Sequence, residues 1–356
     1  MDSQPGLIVL LGSGETSPSI RKVYDWLFAR MEEDVRLAIL ETPAGFEPNS
    51  DYVADQIRQY IAKHLQNYQP EITLVPARKR DSAFSTDDPA IVTPLYAANS
   101  ILMGPGSPTY AVRQLRDSVA WHTLCACHRL GATLIFASAA TLASSAYTLP
   151  VYEIYKVGEE LHWKRGLNFF GDFGLDLVFI SHWNNNDGGE VLDTSRCYMG
   201  QDRYNRLIEM LPPTENGQPY TIVGIDENTA LIVDPAAETC RVMGPGGVIV
   251  IRAGSERRFP DGSTFDIAEL GSFYLPQPSA HIPSDVWART RSGVAEAQER
   301  RSQAPTPPPA VQTLLQERND ARARQDWQTS DRLRDKIEAK GWKVLDTPEG
   351  SVLEPA

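Results

Sequence analysis

Residues 132–147, ATLIFASAATLASSAY, form an apolar run that stops at Ser138 among alanines. A serine in that place could serve as a nucleophile toward a carbonyl carbon. Its hydroxyl is too weak an acid to attack an amide at neutral pH unaided. It needs a base beside it, normally histidine, and a third group that orients the base. It also needs backbone N–H groups aimed at the developing oxyanion, and the N–H of the following residue, Ala139, is one natural source. The same serine has a second reading. Serine is a preferred helix N-cap, and Ala/Ser-rich stretches are common helix starts. The local window leaves both readings open.

Two other constellations carry less chemistry. LCACH (124–128) brings Cys125, Cys127 and His128 together, but a zinc site would need a second ligand pair at suitable spacing. Cysteines two apart on a helix also face different directions, so buried core cysteine is the expectation. GSGE (12–15) is a glycine turn without the third glycine of a dinucleotide fingerprint. It reads as a tight turn near the active edge of a sheet. His64, His122, His162 and His281 have no sequence neighbours that suggest chemistry.

The elements that would hold these residues alternate along the first 250 positions. Strands are expected at GLIVLLG (6–12), VRLAILETP (35–43), EITLVPA (71–77), NSILMGPGSP (99–108) and ATLIFAS (132–138). Helical spacing falls between them, at 20–31, 51–65 and 109–131, the last closed by Gly131. Such alternation predicts an α/β fold, a mostly parallel sheet with helices on both faces. Ligands bind such sheets beyond the carboxyl ends of the strands. The turns Gly12–Glu15, Gly104–Ser107 and Ala137–Ala140 should therefore share one edge. Further strands are expected at 175–183, 220–234, 241–254 and 265–275, the last three as a meander with turns at Asp234–Glu238 and Arg257–Gly262.

The composition sets limits. A formal net charge of −12 argues against a surface built throughout for nucleic acid or anionic lipid. No apolar run nears the roughly 20 residues that span a bilayer, and the N-terminus lacks a basic leader. Four cysteines in 356 residues are no disulfide framework. The expectation is a cytoplasmic protein with reduced thiols and no membrane contact. From residue 293 the composition shifts. QERRSQAPTPPPAVQ (298–312), with Pro305 and Pro307–Pro309, suggests a linker over 293–310. Two helices broken near Gln325–Thr329, then a hairpin around Pro348-Glu349-Gly350, complete a separate module over 311–356.

Seven motifs in order resemble the serine peptidase family of cyanophycinase and dipeptidase E, across residues 6–255. They are GLIVLLGSGE (6–15), LETPAGFEPNSDYV (40–53), ILMGPGSPTYAVRQL (101–115), FASAAT (136–141), SHW (181–183), DRYNRL (202–207) and GIDENTALIV (224–233). The resemblance implies a class I glutamine amidotransferase-like fold over 1–292 and no cofactor or metal. It places Ser138 as nucleophile and His182, 44 residues later, as general base. Glu153 takes the place of the acid, with Glu159 as the alternative. The N–H groups of Gly106 and Ala139 become the oxyanion donors, since Pro105 has no N–H to give. The family's preference for acidic groups makes Arg196, Arg203, Arg206 and Ser107 the candidate substrate-binding residues, guanidinium being suited to two-point binding of carboxylate. A small peptide or acidic amide is the implied substrate.

The chain departs from that family at four places. Phe136 and Ala140 stand where the elbow normally has glycines. Ile180-Ser181 replaces an aspartate before the histidine, and the loop 184–201 is longer than usual. Cyanophycin as substrate is therefore disfavoured. Phe136 also supports an alternative, a catalytically silent member that binds a small acidic ligand or a tRNA-linked partner.

The tail, LLQERNDARARQDWQTSDRLRDKIEAKGWKVLDTPEGSVL (314–353), resembles the last segment of bacterial cysteinyl-tRNA synthetase. That implies a possible tRNA contact. Residues 311–356 hold eight basic and nine acidic side chains, so no bulk attraction to RNA is expected. A docking module or a homodimer contact is the other use of such a hairpin. The synthetase's catalytic signatures are absent, which excludes aminoacylation.

Overall fold

The structure is a computed structural model that describes residues 4–303, 307–347 and 350–355. The chain divides into two compact units, Met1–Ala295 and Glu296–Ala356.

In the first unit the strands are β1 Ile8–Leu11, β2 Arg36–Leu40, β3 Glu71–Val75, β4 Ser100–Met103, β5 Thr133–Ala137, β6 Tyr147–Thr148, β7 Lys164–Arg165 and β8 Leu177–Ile180. They continue as β9 Thr221–Ile225, β10 Ala230–Asp234, β11 Thr239–Met243, β12 Gly247–Arg252, β13 Ser255–Pro260 and β14 Thr264–Asp266. The helices are α1 Pro18–Phe28, α2 Ser50–His64, α3 Pro89–Val92, α4 Pro108–Leu115, α5 Val119–Arg129, α6 Ala139–Ala143 and α7 Gly200–Met210; α8 Ser284–Gln303 begins in this unit and ends in the second.

An eight-stranded sheet runs β14-β11-β10-β1-β5-β4-β2-β3. From β1 to β3 every pairing is parallel; β10, β11 and β14 are antiparallel. A second sheet, β13-β12-β9-β8, pairs β8 and β9 in parallel. The expected large, mostly parallel sheet is present.

Side chains alternate across each strand, so each strand feeds two cores. Ile8 and Leu10 of β1 pack with Leu124 and Ala126 of α5. Val9 and Leu11 pack with Ile20, Val23 and Leu27 of α1 and Ile57 and Ile61 of α2. Helices thus cover both faces. Because β1, β4 and β5 are parallel neighbours, the turns after them emerge on one edge. A hydrogen bond from Ser138 N–H to the Leu11 carbonyl, 3.0 Å, ties two of these turns together.

Five details differ from the sequence reading. The helix expected over 109–131 is two, α4 and α5, because Asp117 takes φ +57° and Ser118 caps α5 by accepting from Trp121 N–H. The segment 220–234 is two strands, β9 and β10, with a tight turn at 226–229. The segment 241–254 likewise parts into β11 and β12, and 265–275 holds only the end of β14 before a short 3₁₀ turn. Helix α8 occupies 293–303, where an extended linker was expected. GVAEAQERRSQ contains good helix formers and no proline, and Pro305 lies outside the described residues.

The second unit holds helices α9 Pro309–Ala323 and α10 Trp327–Glu338 and a hairpin of β15 Trp342–Thr347 with β16 Gly350–Pro355. The turn residues Pro348 and Glu349 lie outside the described residues. Val311, Ile337, Trp342 and Val344 form its small core. Arg318, almost fully buried, is neutralised by Asp346, which also receives Arg322 and Arg334. Among the described residues of both units, no helix is long and apolar enough to cross a membrane.

Candidate active site

Ser138 stands at a sharp corner between β5 and α6. Its backbone lies at φ +50°, ψ −101°, a conformation that non-glycine residues hold only where the surroundings enforce it. The enforcement is visible. Ser138 N–H is bonded to Leu11, and Leu142 N–H returns to the Ser138 carbonyl at 3.0 Å. The Thr141 hydroxyl donates toward the Leu11 and Phe136 carbonyls at 3.0 and 2.8 Å. Small residues allow the corner to close: Ala143 packs on Ala111 and Val112 of α4. Phe136 does not crowd it. Its ring is fully buried in the core, edge-on to Phe169 with centroids 5.8 Å apart. The glycine expected there is replaced by a buried residue that does not line the cavity at Ser138.

His182 follows β8 and also has a positive φ, +50°. Its N–H donates to the Gly12 carbonyl at 3.2 Å, and its carbonyl accepts from Cys197 N–H at 3.1 Å. The GSGE turn on one side and the long 184–201 loop on the other therefore hold the imidazole. His182 Nε2 lies 2.8 Å from Ser138 Oγ.

The carboxylate that meets this histidine is Glu227, not Glu153. Glu227 Oε1 is 2.7 Å from His182 Nδ1 and accepts from Asn185 Nδ2 at 2.9 Å. It sits in the 226–229 turn that the reading of a single strand over 220–234 concealed. That turn is firmly anchored. Asp226, fully buried, accepts from Gly247 N–H at 2.9 Å and from Arg258. Asn228 N–H donates to Ser13 Oγ at 3.2 Å, and Glu227 N–H to Asn184 Oδ1 at 2.8 Å. The signal was present in the sequence as the polar run Asp226-Glu227-Asn228, a turn composition.

The proton positions follow from the chemistry of the partners. The hydrogen bond from His182 holds the Glu227 carboxyl below the usual glutamate value; burial opposes this, and Asn185 and the charge of His182 add to the lowering. An ionised carboxylate can only accept. Nδ1 therefore carries the hydrogen, and the Nε2 lone pair faces the serine hydroxyl. Nearby, burial raises the Glu15 carboxyl, with its own backbone N–H and His182 pulling the other way.

Glu153 lies elsewhere, on a short π-helical turn over Tyr152–Val157. It accepts from the Thr109 hydroxyl at 2.5 Å and faces Lys164 Nζ at 3.4 Å. Glu159 is beside His162, at 3.7 Å. Neither approaches His182 through a hydrogen bond.

Ser138 and His182 open into a cavity of about 460 Å³ lined also by Gly106, Ala139, Tyr155, Asp187 and Tyr198. Gly106, the expected oxyanion donor, has φ +143°, and a Cβ there would strike the Pro43 carbonyl. Tyr198 packs on His182 with centroids 5.7 Å apart and donates to Asp187 at 3.1 Å.

The three arginines expected to bind substrate do not line this cavity. Arg196 lies over the Trp183 ring at 4.2 Å, and Arg203 donates to the Met199 and Tyr198 carbonyls at 2.6 and 2.7 Å. Arg206 is exposed on α7. The first two brace the loop that carries Tyr198. The cations near the nucleophile come from other segments. Tyr152 and Lys156 line both the Ser138 cavity and a larger groove of about 920 Å³. Arg80, Arg113, Arg116, Lys164 and Arg165 line that groove too, against Glu47, Asp117 and Glu153, and Ser107 forms part of its wall.

The Cys125–His128 cluster is core. Burial pushes the Cys127 thiol up to about 12. Burial, then the neighbouring Arg129, push His128 down to about 3, and its Nε2 sits 2.9 Å from the Gly6 carbonyl.

Comparison with known proteins gives a counterpart for each part of the chain. Residues 304–350 match the family model of the cysteinyl-tRNA ligase anticodon binding domain. Over 46 residues the chain is 52% identical to cysteine–tRNA ligase 1 of Burkholderia lata, a match covering 13% of this chain and 10% of the ligase. The chain thus spans about a tenth of the curated relative it matches. Among solved structures, a peptidase from an acI-B1 Actinobacterium superposes with a TM-score of 0.58 at 20% identity, covering 75% of this chain and 98% of that one. A putative peptidase E protein from Listeria monocytogenes EGD-e gives a TM-score of 0.42 at 14% identity, covering 72% and 98%. The larger part of the chain has a structural counterpart in the acI-B1 protein, and the tail resembles the ligase's anticodon binding domain. The superposition at 0.58 shows a shared fold.

Proposed function

We propose that this chain is a serine hydrolase of the peptidase type, with the class I glutamine amidotransferase-like arrangement that its motifs suggest. Ser138 attacks the carbonyl carbon of an amide while His182 Nε2 takes the hydroxyl proton. Glu227 holds the imidazole in the required tautomer and stabilises the imidazolium that forms. The N–H groups of Gly106 and Ala139 receive the oxyanion. His182 then passes the proton to the leaving amine, and water releases the acyl group by the reverse sequence. The observation that carries this reading is the unbroken chain from hydroxyl to imidazole to carboxylate, 2.8 and 2.7 Å, opening into a cavity.

The substrate in this reading is a small acidic peptide. Arg113, Lys156 and Arg165 line the groove and make no ion pair with a carboxylate among the described residues. They would receive substrate carboxylates in place of Arg196, Arg203 and Arg206. A serine-directed fluorophosphonate probe tests the nucleophile. Labelling is expected in the native chain and not in Ser138→Ala; no labelling of the native chain would overturn the reading.

For the tail we propose contact with tRNA, supported by its match to the anticodon binding domain. Filter binding should detect tRNA on the full chain and lose it when the chain ends at Gln303. Binding that survives the truncation would remove this role.

A further inference from the structure

Glu153, the carboxylate that does not meet the histidine, terminates a different chain of hydrogen bonds. Its Oε1 is 2.5 Å from Thr109 Oγ1, and Thr109 Oγ1 is 3.0 Å from Ser107 Oγ. The direction of this relay can be deduced. Hydrogen bonds from Thr109 and Lys164, with the residue's own backbone N–H, outweigh burial and hold the Glu153 carboxyl below the usual range. An ionised carboxylate only accepts, so Thr109 gives it its single hydroxyl proton. Ser107 must then be the donor to Thr109, and its oxygen lone pair accepts Tyr110 N–H at 3.2 Å. All the protons point toward Glu153, an arrangement in which each bond polarises the next.

Ser107 is covalently joined to Gly106, one of the two oxyanion donors. On its other side this turn is fastened to Pro43: Ser107 N–H donates to the Pro43 carbonyl at 2.9 Å, and Gly106 packs so closely there that no side chain fits. Two attachments, one through backbone and one through side chains, therefore set the turn. A helix cap alone needs no carboxylate from another segment. Yet Glu153 reaches in from a π-helical turn, a feature that occurs often at functional sites, and its buried Oε2 has no hydrogen-bond partner. Buried carboxylate oxygens without partners are costly and ask for a reason.

We propose that Glu153 is a positioning residue: through Thr109 and Ser107 it fixes the Gly106 N–H in the place where the oxyanion forms. The inference rests on the serine-hydrolase reading above. It separates two carboxylates by task, Glu227 for the base and Glu153 for the oxyanion turn.

The test is the second-order rate of Ser138 labelling by a fluorophosphonate, whose P=O oxygen occupies the oxyanion position. Removing one oxyanion donor costs about 10²–10³ in rate, and misplacing it should cost about tenfold or more. Glu153→Gln and Thr109→Val should each slow labelling by that factor. The double variant should be no slower than the slower single one, because both cut the same relay. Thr109→Ser, which keeps the hydroxyl, should restore most of the loss. The pH dependence of labelling should be unchanged, since none of these side chains touches His182, and circular dichroism melting controls for folding. A native chain labelled at Ser138 together with a Glu153→Gln variant labelled at the same rate removes this inference alone. Additive losses in the double variant also overturn it. A native chain that is not labelled removes the hydrolase reading and this inference with it.

Discussion

Replacing Glu227 by Gln removes one negative charge and leaves the side-chain shape. In the reaction His182 becomes an imidazolium beside that carboxylate, with a charge separation on the order of 4 Å. Two unit charges at about that distance attract by about 4 kcal/mol at an effective dielectric near 20. Since about 1.4 kcal/mol is tenfold in rate, the loss should be about a thousandfold. The amide can also turn its NH₂ toward Nδ1, which would leave the imidazole proton on Nε2, facing Ser138 in the wrong tautomer. The assay is release of p-nitrophenol from an activated ester between pH 6 and 9. Glu227 has a lowered folded pKa, so its charge is present throughout that window. Its contribution to stability is complete above the ordinary glutamate value of about 4.3 and is lost only as pH falls through the lowered folded value. Titration of Glu227 itself should thus add no pH dependence to that loss across the assay range. A Glu227→Gln variant within threefold of the native rate would refute the orientation argument, and so would a Glu153→Gln variant that loses far more than it.

Gly106→Ala should lose both activity and melting temperature, because φ +143° and the Pro43 carbonyl leave no room for a methyl group; unchanged kinetics would mean that the turn moves freely. Lys156→Glu, at the junction of cavity and groove, should raise KM for an acidic peptide about fivefold with little change in kcat, each exposed ion pair being worth up to about a kcal/mol; a neutral peptide is the control. In the tail, Asp346→Asn strands the buried Arg318 and should destabilise that unit by about 3 kcal/mol. The hydrogen bond from Arg318, reinforced by Ser351 and Arg322 and opposed by burial, holds the Asp346 carboxyl far below the usual range. Its stabilisation is therefore present at neutral pH and lost as pH falls below about 3.9 through the lowered folded value. Tryptophan fluorescence melts of the full chain, which has Trp327 and Trp342 in that unit, read both effects.

Ser138 and His182, whose side chains the structure brings within 2.8 Å, were legible through the motif resemblance and not through their neighbours, which left Ser138 open between nucleophile and helix cap. Ser138 directly follows the buried strand β5, and His182 lies two residues beyond β8. The carboxylate that meets His182 was not legible, and the reason is local. Residues 220–234 are apolar at both ends, so Asp226-Glu227-Asn228 read as polar positions of one strand. In the molecule they turn the chain from one sheet to the other, with Asn228 at φ +56°. Choosing Glu153 by its spacing from the serine found a half-buried carboxylate, but one whose partners are Thr109 and Lys164. The arginines misled for a similar reason. Arg196 and Arg203 follow the histidine closely in sequence, yet their guanidinium groups lie over Trp183 and Tyr155 or bond to the loop's carbonyls. The cations that line the groove come from segments 80, 113–116, 156 and 164–165. No local spacing announces a groove assembled from four separate stretches. Alternation of strands and helices was readable because hydrophobic periodicity is a local property. Division into two sheets depends on non-local pairing and was not.

The most direct measurement of the central claim is a rapid-mixing experiment with an activated ester, quenched in acid and mapped by mass spectrometry. A burst of p-nitrophenol stoichiometric with the chain, and an acyl group carried on the peptide that contains Ser138, are expected. Linear release from the first milliseconds with Ser138 unmodified, or an acyl group on any other residue, would contradict it.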